Sequence, residues 1–215
     1  MADAPGVMEA AEEAAYELRC AESAYWTGSR LFIGMAAMAF AGVAFSYFYL
    51  RSVNSGGLWR PGHVSASPLL GTLIAGAVVL GALINAYGGM RLRRGSSIDW
   101  EVAAWTSTGL GILASGLQIW QLTRLGFYPG SSGYASVFVA WGPLNVAMCL
   151  VGAYWLETLA ARAIRLRSPL KEDGGAGLSQ LPMARVFRAN LEGATYFWGF
   201  AAVISVIFWV LFYII

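Results

Sequence analysis

Residues 68–90 read PLLGTLIAGAVVLGALINAYGGM, a run without Asp, Glu, Lys, Arg or His. A helix needs about 20 apolar residues to cover roughly 30 Å of hydrocarbon, so this run is long enough to cross a bilayer. The stretches 31–50, 102–123, 134–156 and 193–215 meet the same length and also lack Asp, Glu, Lys, Arg and His. The expected fold class is therefore all-α, an integral membrane bundle of five transmembrane helices.

Composition agrees. The chain of 215 residues is 58% hydrophobic and 12% charged, whereas an ordinary soluble domain carries about 25% charged residues. Five spans with short joins leave no room for a second soluble domain, and a net charge of +2 is too small to point to nucleic acid. Ionisable groups inside spans mark proton relays, ion paths or cofactor ligands, so their exclusion weakens any reading in which the chain itself conducts charge or does chemistry. The single histidine, His63, falls in the loop after the first span and cannot supply a pair of haem ligands. No Cys/His cluster has zinc spacing, no Gly-rich phosphate loop leads to Lys and Ser/Thr, and no Ser/His/Asp set is present. No residue is assigned as catalytic, cofactor-binding or metal-ligating. Cys20 precedes the first span and Cys149 lies inside the fourth, so free thiols at different depths are expected rather than a disulfide.

Residues 1–29 are expected to form a cytoplasmic helical segment ahead of the five-helix domain at 30–215. Asp3, Glu9, Glu12, Glu13, Glu17 and Glu22 make the start acidic, the reverse of a secretory signal. Asp3 before Ala4 and Pro5 can open a helix over 4–23 with acidic first turns, its polar side either solvated or docked on a partner subunit. Tyr25 and Trp26 fit an aromatic belt where the chain enters lipid. Orientation follows from the arginines. With the N-terminus inside, the cytoplasmic segments hold all the positive charges except Arg51, Arg60 and Arg124. The positive-inside rule then favours N-terminus in and C-terminus out, with Ile214 and Ile215 at the outer surface.

Small residues allow helices to approach closely in lipid. Ala37 with Ala41 and Gly34 with Gly42 in the first span, Gly71, Gly76 and Gly81 in the second, and Gly109, Gly111 and Gly116 in the third predict a tight bundle. Tyr47, Phe48, Tyr49, Trp100, Tyr154 and Trp155 at span ends predict an interfacial belt. Polar uncharged groups are few: Asn85, Asn145 two residues after Pro143, and the pair Gln118 and Gln121, which share a helix face. They serve either as interhelical glue or as a lining for water or lipid headgroups. Pro143 removes a backbone donor and is expected to kink the fourth span.

The order of motifs resembles subunit III of the haem-copper oxidases. The first span, RLFIGMAAMAFAGVAFSYFYLRS over 30–52, is similar to the first helix shared by that family. Trp59 and Pro61 follow where the family has Trp-Pro, and Thr72 matches a Thr near the start of the next span. Gln118, Trp120 and Gln121 resemble a Gln, aromatic, Glu pattern. FYPGSSGYASVF at 127–138 resembles a small-residue turn followed by Tyr-Gly-Ser-Val-Phe, and Phe197, Trp198 and Phe200 align with the start of the last helix. The resemblance covers roughly 28–215 and implies the five-helix form found in bacteria and archaea, with residence in the plasma membrane. The departures are systematic. Ala36 and Gln121 stand where the family has Glu, Asn145, Val146, Ala147 and Met148 replace His-Gly-Leu-His, and Gly199 and Ala202 replace His and Asp.

The resemblance implies a non-catalytic accessory subunit. Such a subunit packs beside the catalytic subunit I and other subunits, where the haem and copper reside, and holds phospholipids. Gln118, Gln121, Asn145, Trp59, Tyr196 and Trp198 are the residues expected to make interhelical, lipid or partner contacts. The arginines of 162–188, with a flexible section at Gly174, Gly175 and Gly177, either lie against anionic headgroups or act only as topology signals. Two alternatives remain: an accessory subunit of a quinol oxidase or nitric oxide reductase, and an unrelated membrane assembly scaffold or transporter.

Overall fold

The computed structural model describes residues 5–54, 57–62, 64–172 and 182–215, with side chains described for 12–54, 57–62, 64–165 and 185–215. The expectations for Asp3, His63 and the section at Gly174, Gly175 and Gly177 lie outside these. The elements are α1 (Pro5–Val53), α2 (Pro68–Arg93), α3 (Ser97–Thr123), α4 (Gly133–Glu172) and α5 (Pro182–Tyr213). Lipid offers no water to backbone N–H and C=O groups, and helices satisfy them within each segment. Four helices, α1, α2, α4 and α5, are long and apolar enough to cross a membrane. Helix α3 has 27 residues against 26 in α2, but Thr106, Ser107, Thr108, Ser115, Gln118 and Gln121 dilute its apolar character.

Local chemistry sets the ends of α2. Ser67 is extended, its hydroxyl oxygen accepts from the Leu70 N–H at 3.5 Å, and Pro68 opens the first turn, where its missing N–H costs nothing. Arg91 and Arg93 in the last turn complement the helix dipole. Gly95, at φ +91°, then reverses the chain within a few residues.

The helix bounds differ from the apolar runs at the arginine-rich end. The predicted helix at 4–23 and the span at 31–50 are one unbroken α1. Between them Gly28 lowers helix propensity most, by about 1 kcal/mol relative to Ala, and no proline intervenes. Likewise α4 continues without interruption through Pro143 and on to Glu172.

Helix α5 packs against α1, α2 and α4, and α4 against α1, α3 and α5. Helix α5 runs alongside α1 in the same direction, with Ser29 near Gly193, Phe32 near Phe197 and Tyr47 near Leu211. It runs opposite to α2, where Gly71 meets Tyr213 and Gly81 meets Trp198, and opposite to α4, where Trp141 stacks on Phe208 at 4.0 Å. Helix α3 packs between α2 and α4, its Ser107 hydroxyl donating to the Gly81 carbonyl at 2.9 Å. The fold turns a soluble protein's polarity inside out along α3. Ser107, Thr108, Ser115, Gln118 and Gln121 are buried, whereas Val102, Trp105, Ile112, Leu113, Ile119 and Trp120 are exposed.

Helix α1 is peripheral. Only 11% of its apolar stretch is buried, against 39% in α2 and α5 and 50% in α4. The predicted tight packing through its small residues is therefore not found. A side chain added at Gly34 or Gly42 would meet open space, as it would at Gly76, Gly109 and Gly116. Close approach occurs instead at Gly71, Gly81, Gly88, Gly111, Gly142, Gly152 and Gly193. The predicted aromatic belt also divides. Phe48, Tyr49 and Tyr154 are exposed, but Tyr47 and Trp100 are buried in the bundle, Tyr47 donating its hydroxyl to the Leu211 carbonyl at 2.6 Å.

The turn between α2 and α3 carries an ion pair with a measurable consequence. The Asp99 carboxyl is held below the usual carboxylate range, first by a hydrogen bond with the Ser96 side chain and then by Arg91, whose Nε donates to Oδ2 at 2.7 Å. A carboxyl lowered on folding adds stability above its unfolded pKa, about 3.9, and loses that contribution as pH falls through the folded value. Below about pH 4 the thermal midpoint of the native chain is expected to fall more steeply than that of Asp99→Asn. Coincident pH profiles for the two proteins contradict this.

Candidate functional site

The buried polar groups converge between α2, α3, α4 and α5. Gln118 and Gln121 share a face of α3 as their spacing requires, and Asn145 reaches them from α4. Asn145 Nδ2 donates to Gln118 Oε1 at 3.1 Å, and Gln118 Nε2 donates to Gln121 Oε1 at 3.3 Å. Gln121 Nε2 then donates to the Ser67 carbonyl at 3.1 Å and to the Tyr213 hydroxyl at 2.9 Å. The three amides are at most 2% exposed. Three helices, α3, α4 and α5, and the loop before α2 are thus tied by one chain of hydrogen bonds. A carbonyl can only accept, so Ser67 fixes which end of the Gln121 amide carries nitrogen, and the order of donors follows back to Asn145. Asn85, predicted to act in the same way, forms a separate contact, Nδ2 to Thr195 Oγ1 at 3.5 Å.

Trp198 of α5 meets α2, α3 and α4 at a second level. Its ring is 1% exposed, and its Nε1 donates to the Gly152 carbonyl at 3.2 Å. A Cβ at Gly81 or Gly111 would come within 2.9 Å of the ring, and one at Gly152 within 3.1 Å. Three glycines from three helices therefore make the slot into which the indole fits. At the arginine-rich end Trp155 Nε1 donates to Asn190 Oδ1 at 2.6 Å, tying α4 to α5.

Trp59 sits at the opposite end, with its ring 5.0 Å from that of Tyr47 and 6.2 Å from that of Tyr134. Its carbonyl accepts from the Tyr134 N–H at 3.2 Å, and the absent side chain of Gly133 leaves room for its indole. Arg60 lies over the Tyr134 ring at 4.6 Å. Tyr134 is stacked on Phe138, and both meet Phe212 edge-on. Tyr196 behaves differently. It is 61% exposed, meets Trp26 edge-on at 6.3 Å, and with Ser29, Arg30 and Gly193 lines a groove of about 270 Å³ between α1 and α5. A second groove of about 310 Å³ lies between α2 and α5, with apolar walls at Ala86, Met90 and Leu191 and arginines at Arg93 and Arg188.

The structure thus brings Gln118, Gln121 and Asn145 together, places Trp198 at another level of the interior, and leaves Trp59 and Tyr196 at the two ends. Sequence reasoning missed Ser67, Thr195, Asn190, Ser205 and Tyr213. A hydroxyl or carbonyl near a span end gives no periodic signal, and its partner lies on another helix. Among the described residues no three His, Cys, Asp or Glu side chains come close enough to hold a metal ion, and Cys20 and Cys149 are both free. The arrangement can fix helix register and shield polar groups from lipid. No model of a known protein family matches the chain, and no curated protein does so either.

Proposed function

We propose that this chain is a non-catalytic accessory subunit of a respiratory haem-copper terminal oxidase, of the subunit III kind. In this reading it packs on the catalytic subunit and holds lipid in a bacterial or archaeal plasma membrane, while haem and copper belong to the partners. All five helices cross the bilayer, with the N-terminus inside and the C-terminus outside. The inside-out polarity of α3 supports a fifth span, since a helix with buried amides and exposed Trp105, Ile112 and Ile119 suits lipid. Arg30, Arg91, Arg93, Arg94, Arg162, Arg165, Arg185 and Arg188 belong to the end defined by the Arg93–Glu192 ion pair and by the Arg162 hydrogen bond to Tyr25. Their crowding there supports the orientation.

The observation that carries the accessory role is the uneven burial of α1. Its face with Leu31, Met35, Met38 and Phe45 is bare, beside an interior whose amides Gln118, Gln121 and Asn145 bond across helices. Such a chain has one helix to offer a neighbour and, among the described residues, no Asp, Glu, Lys, Arg or His inside its apolar runs. The segments that carry the resemblance also meet in space, as Tyr47, Trp59, Tyr134 and Phe138 form one aromatic cluster. The two arginine-bordered grooves beside α5 suit phospholipid headgroups. A transporter would call for broken helices at the midplane, and the described helices are continuous. Affinity purification from gently solubilised membranes is expected to bring down a haem- and copper-containing subunit with its absorbance spectrum. A lone, colourless bundle overturns the proposal.

A further inference from the structure

The chain of amides ends on an atom without a partner, and the missing partner can be deduced. The donor order set by the Ser67 carbonyl leaves Asn145 Oδ1 at the far end, fully buried and without a hydrogen bond among the described residues. Ser205 Oγ, on α5, is in the same condition. Both side chains line one small cavity between α2, α3, α4 and α5, together with Gln118, Tyr213 and Trp209. A buried acceptor left unmade costs about 1–3 kcal/mol, so two at one cavity ask for a common ligand. The cavity measures about 20 Å³, and a water needs about 10–15 Å³ by the same measure together with two to four polar partners.

We propose that this cavity is a hydration site holding one water molecule, which closes the amide chain. The water donates to Asn145 Oδ1 and accepts from the Ser205 hydroxyl. The Tyr213 hydroxyl, which already accepts from Gln121, has its own hydrogen to give and completes a third bond. Trp209 lines the site beside α2, its Nε1 donating to Thr72 Oγ1 at 3.0 Å. The site is neutral, since every group that lines it is an amide, a hydroxyl, an indole or an apolar side chain. Its role is to hydrate a polar junction inside the bundle, and it needs no proton to be gained or lost. This inference rests on the cavity and its two unpaired atoms alone and stands or falls independently of the oxidase reading.

The test exploits a change of sign. Ser205→Val puts methyl groups into the cavity and removes the hydroxyl. With water bound, the substitution expels it and strands Asn145 Oδ1, and the thermal midpoint of the purified full chain falls by about 3 °C. In a dry cavity the same substitution fills a void and removes an unpaired hydroxyl, so the midpoint rises. Ser205→Ala follows the same two signs without the added bulk, which separates loss of water from overpacking. Infrared spectra in ordinary water and in water labelled with oxygen-18 provide the second measurement. The native chain is expected to show a narrow O–H stretch that shifts on labelling and is absent from Ser205→Val. A rise in midpoint for both variants, or no label-sensitive band in the native chain, overturns the proposal.

Discussion

Replacing Trp198 with alanine is expected to destabilise the bundle by about 3 kcal/mol, at the low end of the range for burying and then deleting a large aromatic side chain. The reason for the low end is the solvent. In water such a deletion loses the transfer of the ring from water as well as its packing, whereas lipid is as apolar as the interior and only the packing is lost. The reason it is not smaller lies in the walls. The ring edge is met by Gly81, Gly111 and Gly152, which carry no side chain to move into the gap, and three helices cannot all close on it at once. The hydrogen bond from Nε1 to the Gly152 carbonyl is lost as well. Cys149 gives the readout, being buried while its carbonyl lies beside Gly111. In mild detergent its labelling by a thiol reagent is expected to quicken about 100-fold in Trp198→Ala, the factor that 3 kcal/mol implies when labelling follows opening. Exposed Cys20 serves as the internal reference. An unchanged Cys149 rate shows that the indole does not hold these helices together.

The helices were legible in the chain because hydropathy and lipid ask the same question. A run such as 68–90 has to be helical to satisfy its own backbone, and α2 begins at Pro68 as predicted. The helix ends at the arginine-rich side were not legible. Hydropathy marks where the chain leaves hydrocarbon, but a helix in water can continue as long as no residue breaks it. Helix α4 passes position 156 and reaches Glu172, and α5 begins at Pro182, well before position 193. The opposite ends agree more closely, because Pro68 opens α2 and Gly130 imposes a turn before α4, signals that sequence can announce.

Which residues face one another was legible only within a helix. The spacing of Gln118 and Gln121 puts them on one face, but nothing in it names Asn145, Tyr213 or the Ser67 carbonyl as partners. Gly81 and Gly111 were recognisable as close-approach positions, yet Gly34, Gly42 and Gly109 carry the same local signal and face open space. The difference lies in where a large ring arrives from another helix. The same limit explains Tyr47 and Trp100. An aromatic at a span end can face lipid or interior with equal local sequence, and these two face inward.

The amide chain makes its own prediction through Gln118→Leu. The substitution strands the Asn145 Nδ2 donor and the Gln121 Oε1 acceptor, both buried. Two estimates compete for the cost. A buried polar group left unpaired costs about 1–3 kcal/mol, while hydrogen bonds inside membrane proteins average about 0.6 kcal/mol because released groups find new partners. Geometry decides between them. Gln121 cannot turn its oxygen elsewhere while its nitrogen is held by both the Ser67 carbonyl and the Tyr213 hydroxyl, so its loss is not regained. Asn145 can turn, and it can give its nitrogen to the cavity beside it only by withdrawing its oxygen. A total of about 2 kcal/mol is expected, seen as a fall in thermal midpoint of about 4–8 °C for a chain of this size. Adding Asn145→Leu removes one of the stranded groups, so the double variant is expected to be more stable than Gln118→Leu alone, although it has lost one more polar residue. If the two substitutions instead add, each costing its own share, the amides act as separate contacts and the chain of donors from α4 to the loop before α2 does not hold the helices as a unit.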